Sequence, residues 1–310
     1  MYDTTKLYKT QILDLIKSTW DSPRASIKEN TYSIIEKNFN YPEVDHTDGI
    51  GTKGIYHWQK RTFKNAVLDA LAMNLNDLAL VGAIPYKLQN HILIPKDDKE
   101  VLFEIIEALV TECKKRQIAI TGGETSIHDN IDGLDISMTV SGFVKNPKPN
   151  KFEAGDILVG LKSSGLHSNG FTKIREIFGN KFRSEFIEPT IIYSDRVLSL
   201  IEQFDIHGMM HITGGAFTKL KSLLNDADVI IARNHKLQPQ KIFRDLHQKG
   251  ISDEEMYKTF NCGVGFVLSV KPQEVDKIIF KLDADIIGRI VAGSGKIKIQ
   301  SAFSNREVEF

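Results

Sequence analysis

Apolar residues recur at Val67, Leu71, Leu75 and Leu78, the step of one helical face, and Pro85 follows shortly after. The pattern predicts a helix over residues 64–82 with one buried stripe. Asp69, Asn76 and Asp77 lie seven or eight residues apart on it, so these polar groups are expected to share a second face. Residues 88–94 then read as a strand, 98–116 as a helix, 118–120 as a short apolar run entering Thr-Gly-Gly-Glu-Thr-Ser, and 134–144 as a further strand. Strand-like runs at 157–161, 209–212, 229–232 and 263–270 alternate with helical stretches. The alternation predicts α/β architecture throughout.

Between the two halves, Lys-Asn-Pro-Lys-Pro-Asn-Lys at 145–151 carries two prolines and no apolar residue, as expected of a connection between domains. We therefore expect domains at 1–147 and 148–310, which suits a chain of 310 residues. With 41% hydrophobic and 26% charged residues the composition is that of a globular protein with a sizeable core. Two apolar runs end alike, Ile-Ala-Ile-Thr-Gly-Gly at 118–123 and Met-His-Ile-Thr-Gly-Gly at 210–215. Six residues do not establish a duplication.

Forty basic residues balance forty acidic ones, so no net positive field favours a nucleic-acid partner. Cys113 and Cys262 stand far apart, which argues against a disulfide scaffold or zinc ribbon and for a reducing compartment. The start of the chain lacks a basic, apolar leader, and no apolar run approaches about 18 residues. A cytoplasmic protein without a membrane partner is expected.

Candidate chemistry begins with Thr-Asp-Gly-Ile-Gly-Thr-Lys at 47–53. Gly49 and Gly51 would let backbone approach phosphates, Asp48 is a candidate magnesium ligand, and Lys53 would offset phosphate charge. A glycine-rich turn with a surface lysine explains the segment equally well, and it matches neither the P-loop nor the dinucleotide fingerprint. Magnesium draws oxygen ligands from separate segments, which makes Asp69, Asn76, Asp77, Glu124 and Asp135 candidate partners. Singly, each reads as a cap, a turn residue or a solvated carboxylate.

Ser-Ser-Gly-Leu-His-Ser-Asn-Gly at 163–170 sets His167 and Asn169 in a loop between a strand and a helical stretch. His167 could donate to a phosphate, move a proton, or satisfy a turn carbonyl. Ser164 lies in no nucleophile elbow. Near 261–263, Asn261 can both donate and accept, and Cys262 reads as a small packed residue.

These segments, together with Leu-Asn-Asp-Leu at 75–78, Gly-Gly-Glu-Thr at 122–125, His-Ile-Thr-Gly-Gly at 211–215 and Met-Tyr-Lys-Thr-Phe-Asn-Cys-Gly-Val-Gly at 256–265, resemble aminoimidazole ribonucleotide synthetase. This family is also called phosphoribosylformylglycinamidine cyclo-ligase, and the motifs run in order from about residue 45 to the end. The resemblance implies an amino-terminal domain that pairs with its counterpart into a dimeric β-barrel, a carboxy-terminal α/β domain, and a homodimer. It implies ATP and Mg2+, with formylglycinamidine ribonucleotide as the second substrate, cyclised in purine biosynthesis by phosphorylation of its formyl oxygen.

Residue by residue, the resemblance implies nucleotide contacts at Asp48, Gly49, Gly51, Thr52 and Lys53, then at Asn76 and Asp77, and at Gly123, Glu124 and Thr125. Asp48, Asp77 and Glu124 would be the metal positions. Ser164, Gly165, Thr213, Gly214 and Asn261 would contact the ribonucleotide, and His167 and Asn169 would face its reacting atoms. Two departures bear on turnover and substrate identity. Residues 1–44 hold no glycine, leaving Lys28 and Lys37 as possible substitutes for a glycine-rich segment, and Ala216 replaces a common glycine. The alternatives are another ATP-using enzyme of the same superfamily, such as thiamine monophosphate kinase, or a nucleotide-binding regulatory paralogue without ring closure.

Overall fold

The structure is a computed structural model that describes residues 8–310; part of the segment examined for a leader lies outside them. The chain divides into two compact units, Met1–Asn146 and Pro147–Phe310. Among the described residues no helix is long and apolar enough to cross a membrane.

The first unit runs α1 (Lys9–Lys17), β1 (Ala25–Lys28), β2 (Ile34–Lys37), β3 (Glu43–Gly49), α2 (Gly54–Lys60), α3 (Phe63–Ala79), β4 (Ala83–Ile94), α4 (Lys99–Arg116), β5 (Ala119–Ile127) and β6 (Asp135–Val144). Strands β3, β6, β4 and β5 form one sheet in that order, and only the β4–β5 pair is parallel, joined through α4. The sheet is open at both edges. Helix α4 starts where Asp98 accepts from the Val101 N–H at 3.2 Å, a side-chain N-cap.

Helix α3 corrects the expectation of a single apolar stripe. Thirteen of its seventeen residues are buried, Asp69 and Asn76 among them, because sheet strands cover one side and α2 and α4 pack against the rest. Asp77 alone of the three polar positions stays half-buried. Strand β3 was hidden by its polarity: Val44, His46 and Asp48 are half-buried, while Glu43, Asp45 and Thr47 are exposed, the two-residue alternation of a strand.

The second unit contains β7 (Ile157–Lys162), α5 (Phe171–Phe178), α6 (Ser194–Ile201), β8 (Ile206–His211), β9 (Ala227–Ile231), α7 (Lys241–Gln248), α8 (Asp253–Thr259), β10 (Val264–Val270), α9 (Val275–Lys281), β11 (Ala284–Ala292), β12 (Ile297–Gln300) and β13 (Glu307–Glu309). Its seven-stranded sheet has the order β13-β12-β9-β11-β7-β10-β8, with β12–β9 the one parallel pair. Both β7 and β8 run antiparallel to β10, which lies between them. The loops leaving β7 and β8 therefore gather at the sheet end where the chain enters β10.

The two similar Thr-Gly-Gly segments fold differently. Gly122 and Gly123 lie inside β5, with Thr121 an extra residue between the Leu88↔Ile120 and Gln89↔Gly122 pairs, a bulge. Gly214 and Gly215 follow β8 in a turn, with Gly215 at φ +79°.

Candidate functional site

In the first unit β3 turns His46 and Asp48 toward α3, which supplies Asn74 and Asp77 about one turn apart. The Asn74 amide donates to the Asp48 carbonyl at 3.1 Å and the Ala70 carbonyl at 2.9 Å, and its oxygen meets His46 Nδ1 at 3.1 Å. Because that oxygen can only accept, Nδ1 of His46 carries the proton. His46 Nε2 lies 3.5 Å from the Asp77 carboxylate. This contact, more than any other, raises the imidazole above its ordinary pKa, while burial opposes it. Two carboxylates and a histidine thus gather at the end of β3.

The phosphate cradle read from the glycines is corrected by the backbone. Gly49 N–H donates to Asp48 Oδ1 at 2.7 Å and Ile50 N–H to the Ile136 carbonyl at 3.1 Å. These two donors already serve the fold. A Cβ on Gly49 would stand 2.8 Å from the Ile136 oxygen, so close approach of β6 requires that glycine. Gly51, at φ +53°, makes the turn and is exposed, and Thr52 beside it is half-buried.

Lys53 is corrected too, since it does not reach a phosphate from the surface. Its side chain is fully buried, with Nζ 2.9 Å and 2.8 Å from the two Asp69 oxygens. His57 Nε2 approaches Asp69 at 2.8 Å and His57 Nδ1 meets the Thr62 hydroxyl at 2.8 Å. Burial opposes ionisation of Asp69, but Lys53 and His57 outweigh it and hold the carboxyl well below the usual range. Asn76 is buried inside the same layer and presents no face to a nucleotide.

Glu124 does not join Asp48 and Asp77. Register across β3, β6, β4 and β5 gives the rows Asp48–Met138–Asn90–Gly123 and Gly49–Ser137–His91–Glu124. Met138 and Asn90 are buried, whereas His91 and Glu124 are exposed, so strand alternation sends Asp48 and Glu124 to opposite sides of the sheet. Among the described residues no three His, Cys, Asp or Glu side chains are placed to hold one ion. Glu124 therefore stands apart from Asp48 and Asp77. Gly123 packs against Asn90, where a Cβ would meet its atoms at 2.9 Å, and the half-buried Thr125 donates its N–H to Glu124 at 3.2 Å.

In the second unit the loops after β7 and β8 meet the entry to β10. Asn261, expected to touch substrate, is buried and fastens the loop after β7 to that entry: its oxygen accepts from Ser163 Oγ at 2.8 Å and the Gly263 N–H at 3.0 Å, and its amide donates to the Gly165 carbonyl at 2.7 Å. It acts as a positioning residue. Ser164 donates through Oγ to the Pro189 carbonyl at 2.6 Å and through its N–H to His167 Nε2 at 3.3 Å. His167, expected to face reacting atoms, is 1% exposed, and its ring centroid lies 6.1 Å from Tyr193 and 6.4 Å from His211. Gly265 leaves room for these rings, since a Cβ there would stand 2.0 Å from the Tyr193 hydroxyl.

Asn169 lies against the exposed Gly214, its oxygen 3.7 Å from where a Cβ would stand. The buried Thr213 hydroxyl accepts from Lys219 at 2.9 Å. Ala216 has φ +39° and is fully buried.

Residues 38–144 match the family of AIR synthase related proteins, N-terminal domain, and residues 153–300 match the corresponding C-terminal domain. The chain is 35% identical over 300 residues to the phosphoribosylformylglycinamidine cyclo-ligase of Saccharolobus solfataricus, covering 93% of this chain and 90% of the relative. The chain belongs to the AIR synthase family. The cyclo-ligase of Clostridium perfringens is likewise 35% identical, over 83% of this chain and 84% of its own length.

Solved structures extend the likeness in fold. Hydrogenase maturation protein HypE in complex with ATP aligns with TM-score 0.72 at 16% identity, over 99% of this chain and 95% of that one. Thiamine-monophosphate kinase from Stenotrophomonas maltophilia aligns with TM-score 0.69 at 15% identity, over 97% and 98%. Two polar groups beside the expected site residues escaped sequence reasoning: Asn74, which needed β3 to be recognised as a strand facing α3, and Lys219, which sits four residues past Gly215 and carried no motif. His46, at the head of the 46–53 segment, had no role assigned from sequence.

Proposed function

We propose that the chain cyclises formylglycinamidine ribonucleotide to aminoimidazole ribonucleotide at the expense of ATP. The observation that carries this reading is 35% identity over 93% of the chain to a cyclo-ligase, a span that includes the motif loops of both units. ATP transfers its γ-phosphoryl group to the formyl oxygen, and an amidine nitrogen then attacks that carbon. The C–O bond breaks, inorganic phosphate leaves, and the nitrogen loses a proton. Phosphorylation turns a poor leaving group into a good one.

In the first unit, Asp48 and Asp77 suit magnesium, which commonly binds proteins through one or two carboxylates and completes its shell with water and substrate phosphates. When bound, the ion would neutralise charge on the transferring phosphoryl group. The exposed Gly51 turn leaves their approach open to a nucleotide. In the second unit the Asn261-braced loop after β7 presents Asn169, and the turn after β8 presents Gly214, toward a ribonucleotide. The sheet of the first unit carries helices on one side and exposes Thr47, Gln89, His91 and Glu124 on the other; this uncovered face supports a homodimer in which two such sheets meet as a barrel.

Purified protein supplied with magnesium-ATP and formylglycinamidine ribonucleotide should yield ADP and aminoimidazole ribonucleotide together. ADP without the imidazole, or neither product, overturns the reading. Light scattering should return twice the chain mass, and a monomer would reject the barrel.

A further inference from the structure

The turn after β8 is lined by donors without an acid. Lys219 Nζ donates to the Thr213 hydroxyl at 2.9 Å and approaches the His211 carbonyl at 3.5 Å. Both acceptors are neutral, and Lys219 makes no salt bridge with any described residue. An ammonium carries three N–H donors, so one remains for a third group. The Lys219 stem packs on Gly215, where a Cβ would stand 3.4 Å from Cγ, and Asn169 packs on the neighbouring Gly214. The two side chains thus flank consecutive glycines that are themselves exposed.

Asn169 lies beside the same turn, with its Oδ1 the atom nearest Gly214. The Asn169 Nδ2 atom is buried with no hydrogen-bond partner, a costly state for an amide unless a ligand completes it. The N–H groups of Gly214 and Gly215 enter no hydrogen bond with the described residues, whereas the next one, of Ala216, closes the turn on the Thr213 carbonyl at 2.6 Å. A cation and the two unpaired N–H groups of exposed glycines, with the Asn169 carboxamide beside them, form a donor-rich constellation, the chemistry that recognises an oxyanion.

We propose that Lys219, with Asn169 and the Gly214–Gly215 backbone, holds the phosphate monoester of the ribonucleotide substrate. This assignment of the substrate's anchor rests on the cyclo-ligase reading. Lys219 is then a binding residue remote from ring closure, and its charge contributes to substrate affinity rather than to the chemical step.

The test compares full-length protein with Lys219→Met and Lys219→Arg at saturating magnesium-ATP. In Lys219→Met the KM for formylglycinamidine ribonucleotide should rise about tenfold or more, as expected for losing a charge-assisted hydrogen bond. Its kcat and its KM for ATP should stay within about threefold, and Lys219→Arg should recover most of the loss. Separately, calorimetry without ATP should show ribose 5-phosphate binding to wild type and at least tenfold weaker binding to Lys219→Met, with thermal melting confirming that both are folded. Normal imidazole formation with an unchanged ribonucleotide KM in Lys219→Met overturns the anchor and spares the cyclo-ligase reading. Wild type that makes no imidazole yet loses ribose 5-phosphate binding on substitution overturns that reading and upholds the anion site.

Discussion

Lys53 and Asp69 meet inside the first unit with both side chains at 0% exposure and Nζ 2.8 Å from the nearer carboxylate oxygen. A motif lysine that reads as a phosphate contact is thus the brace of its own loop, tying the turn after β3 to helix α3. Removing one partner of a buried pair strands the other charge in a medium that solvates it poorly, at a cost of about 3–5 kcal/mol. Lys53→Met should destabilise the unit by that amount, whereas Lys53→Met combined with Asp69→Leu should recover much of it. Urea unfolding followed by tryptophan fluorescence checks this, because Trp20 and Trp58 both lie in the first unit. Equal losses in the single and double variants would refute the pairing.

The same cluster sets a pH dependence. Burial pushes His57 below its ordinary pKa, although Asp69 pulls the other way. The unfolded chain therefore takes up a proton near pH 6.5, where the folded one does not, so this group's stabilisation is present above that pH and declines below it. Asp69, depressed by Lys53 and His57 against the effect of burial, adds stability above about pH 4 that is lost on further acidification. Between pH 7.5 and 5 the free energy of unfolding should fall less steeply in His57→Gln than in wild type. Parallel slopes would exclude His57 as the titrating group.

Periodicity revealed the regular elements that have strong apolar patterns. Helices α3 and α4 and strand β10 all lie where the apolar spacing put them, because burial of apolar side chains leaves a direct mark on the sequence. Strand β3 left no such mark, since its inward residues are His46 and Asp48. The site suffered for the same reason: a lysine, two glycines and an aspartate in one short segment say which chemistry is available but not which way each side chain turns. Lys53 turned inward because Asp69, sixteen residues on, faces it across the fold. Glu124 and Asp48 parted because strand register, invisible in sequence, put them on opposite sides of the sheet.

The placing of Asp48 and Asp77 on either side of His46 and Asn74 makes a specific demand on catalysis. Asp48→Asn keeps the size of the side chain and the oxygen that accepts from Gly49 N–H, so melting should shift by only a few degrees. If Asp48 holds the magnesium of magnesium-ATP, turnover should drop roughly 10²-fold, and added magnesium should restore part of it. Steady-state kinetics across a magnesium series provide the measurement. Turnover near that of wild type would remove Asp48 from the metal site.

Asn261 offers the converse case, a motif residue whose effect should be structural first. Its side chain makes three hydrogen bonds that join the loop after β7 to the entry of β10. In Asn261→Ala the Ser163 hydroxyl, the Gly263 N–H and the Gly165 carbonyl all lose a partner, and each buried group left unsatisfied costs about 1–3 kcal/mol. Some of that cost falls if the loop opens to water, so a net destabilisation of about 2–4 kcal/mol is expected. Because the same loop positions Asn169 and Gly165, the KM for the ribonucleotide should rise while the KM for ATP stays nearly constant. Unfolding of the second unit by circular dichroism, paired with kinetics on the fraction that remains folded, separates the two effects. Full stability with impaired ribonucleotide binding would instead return Asn261 to direct contact with the substrate.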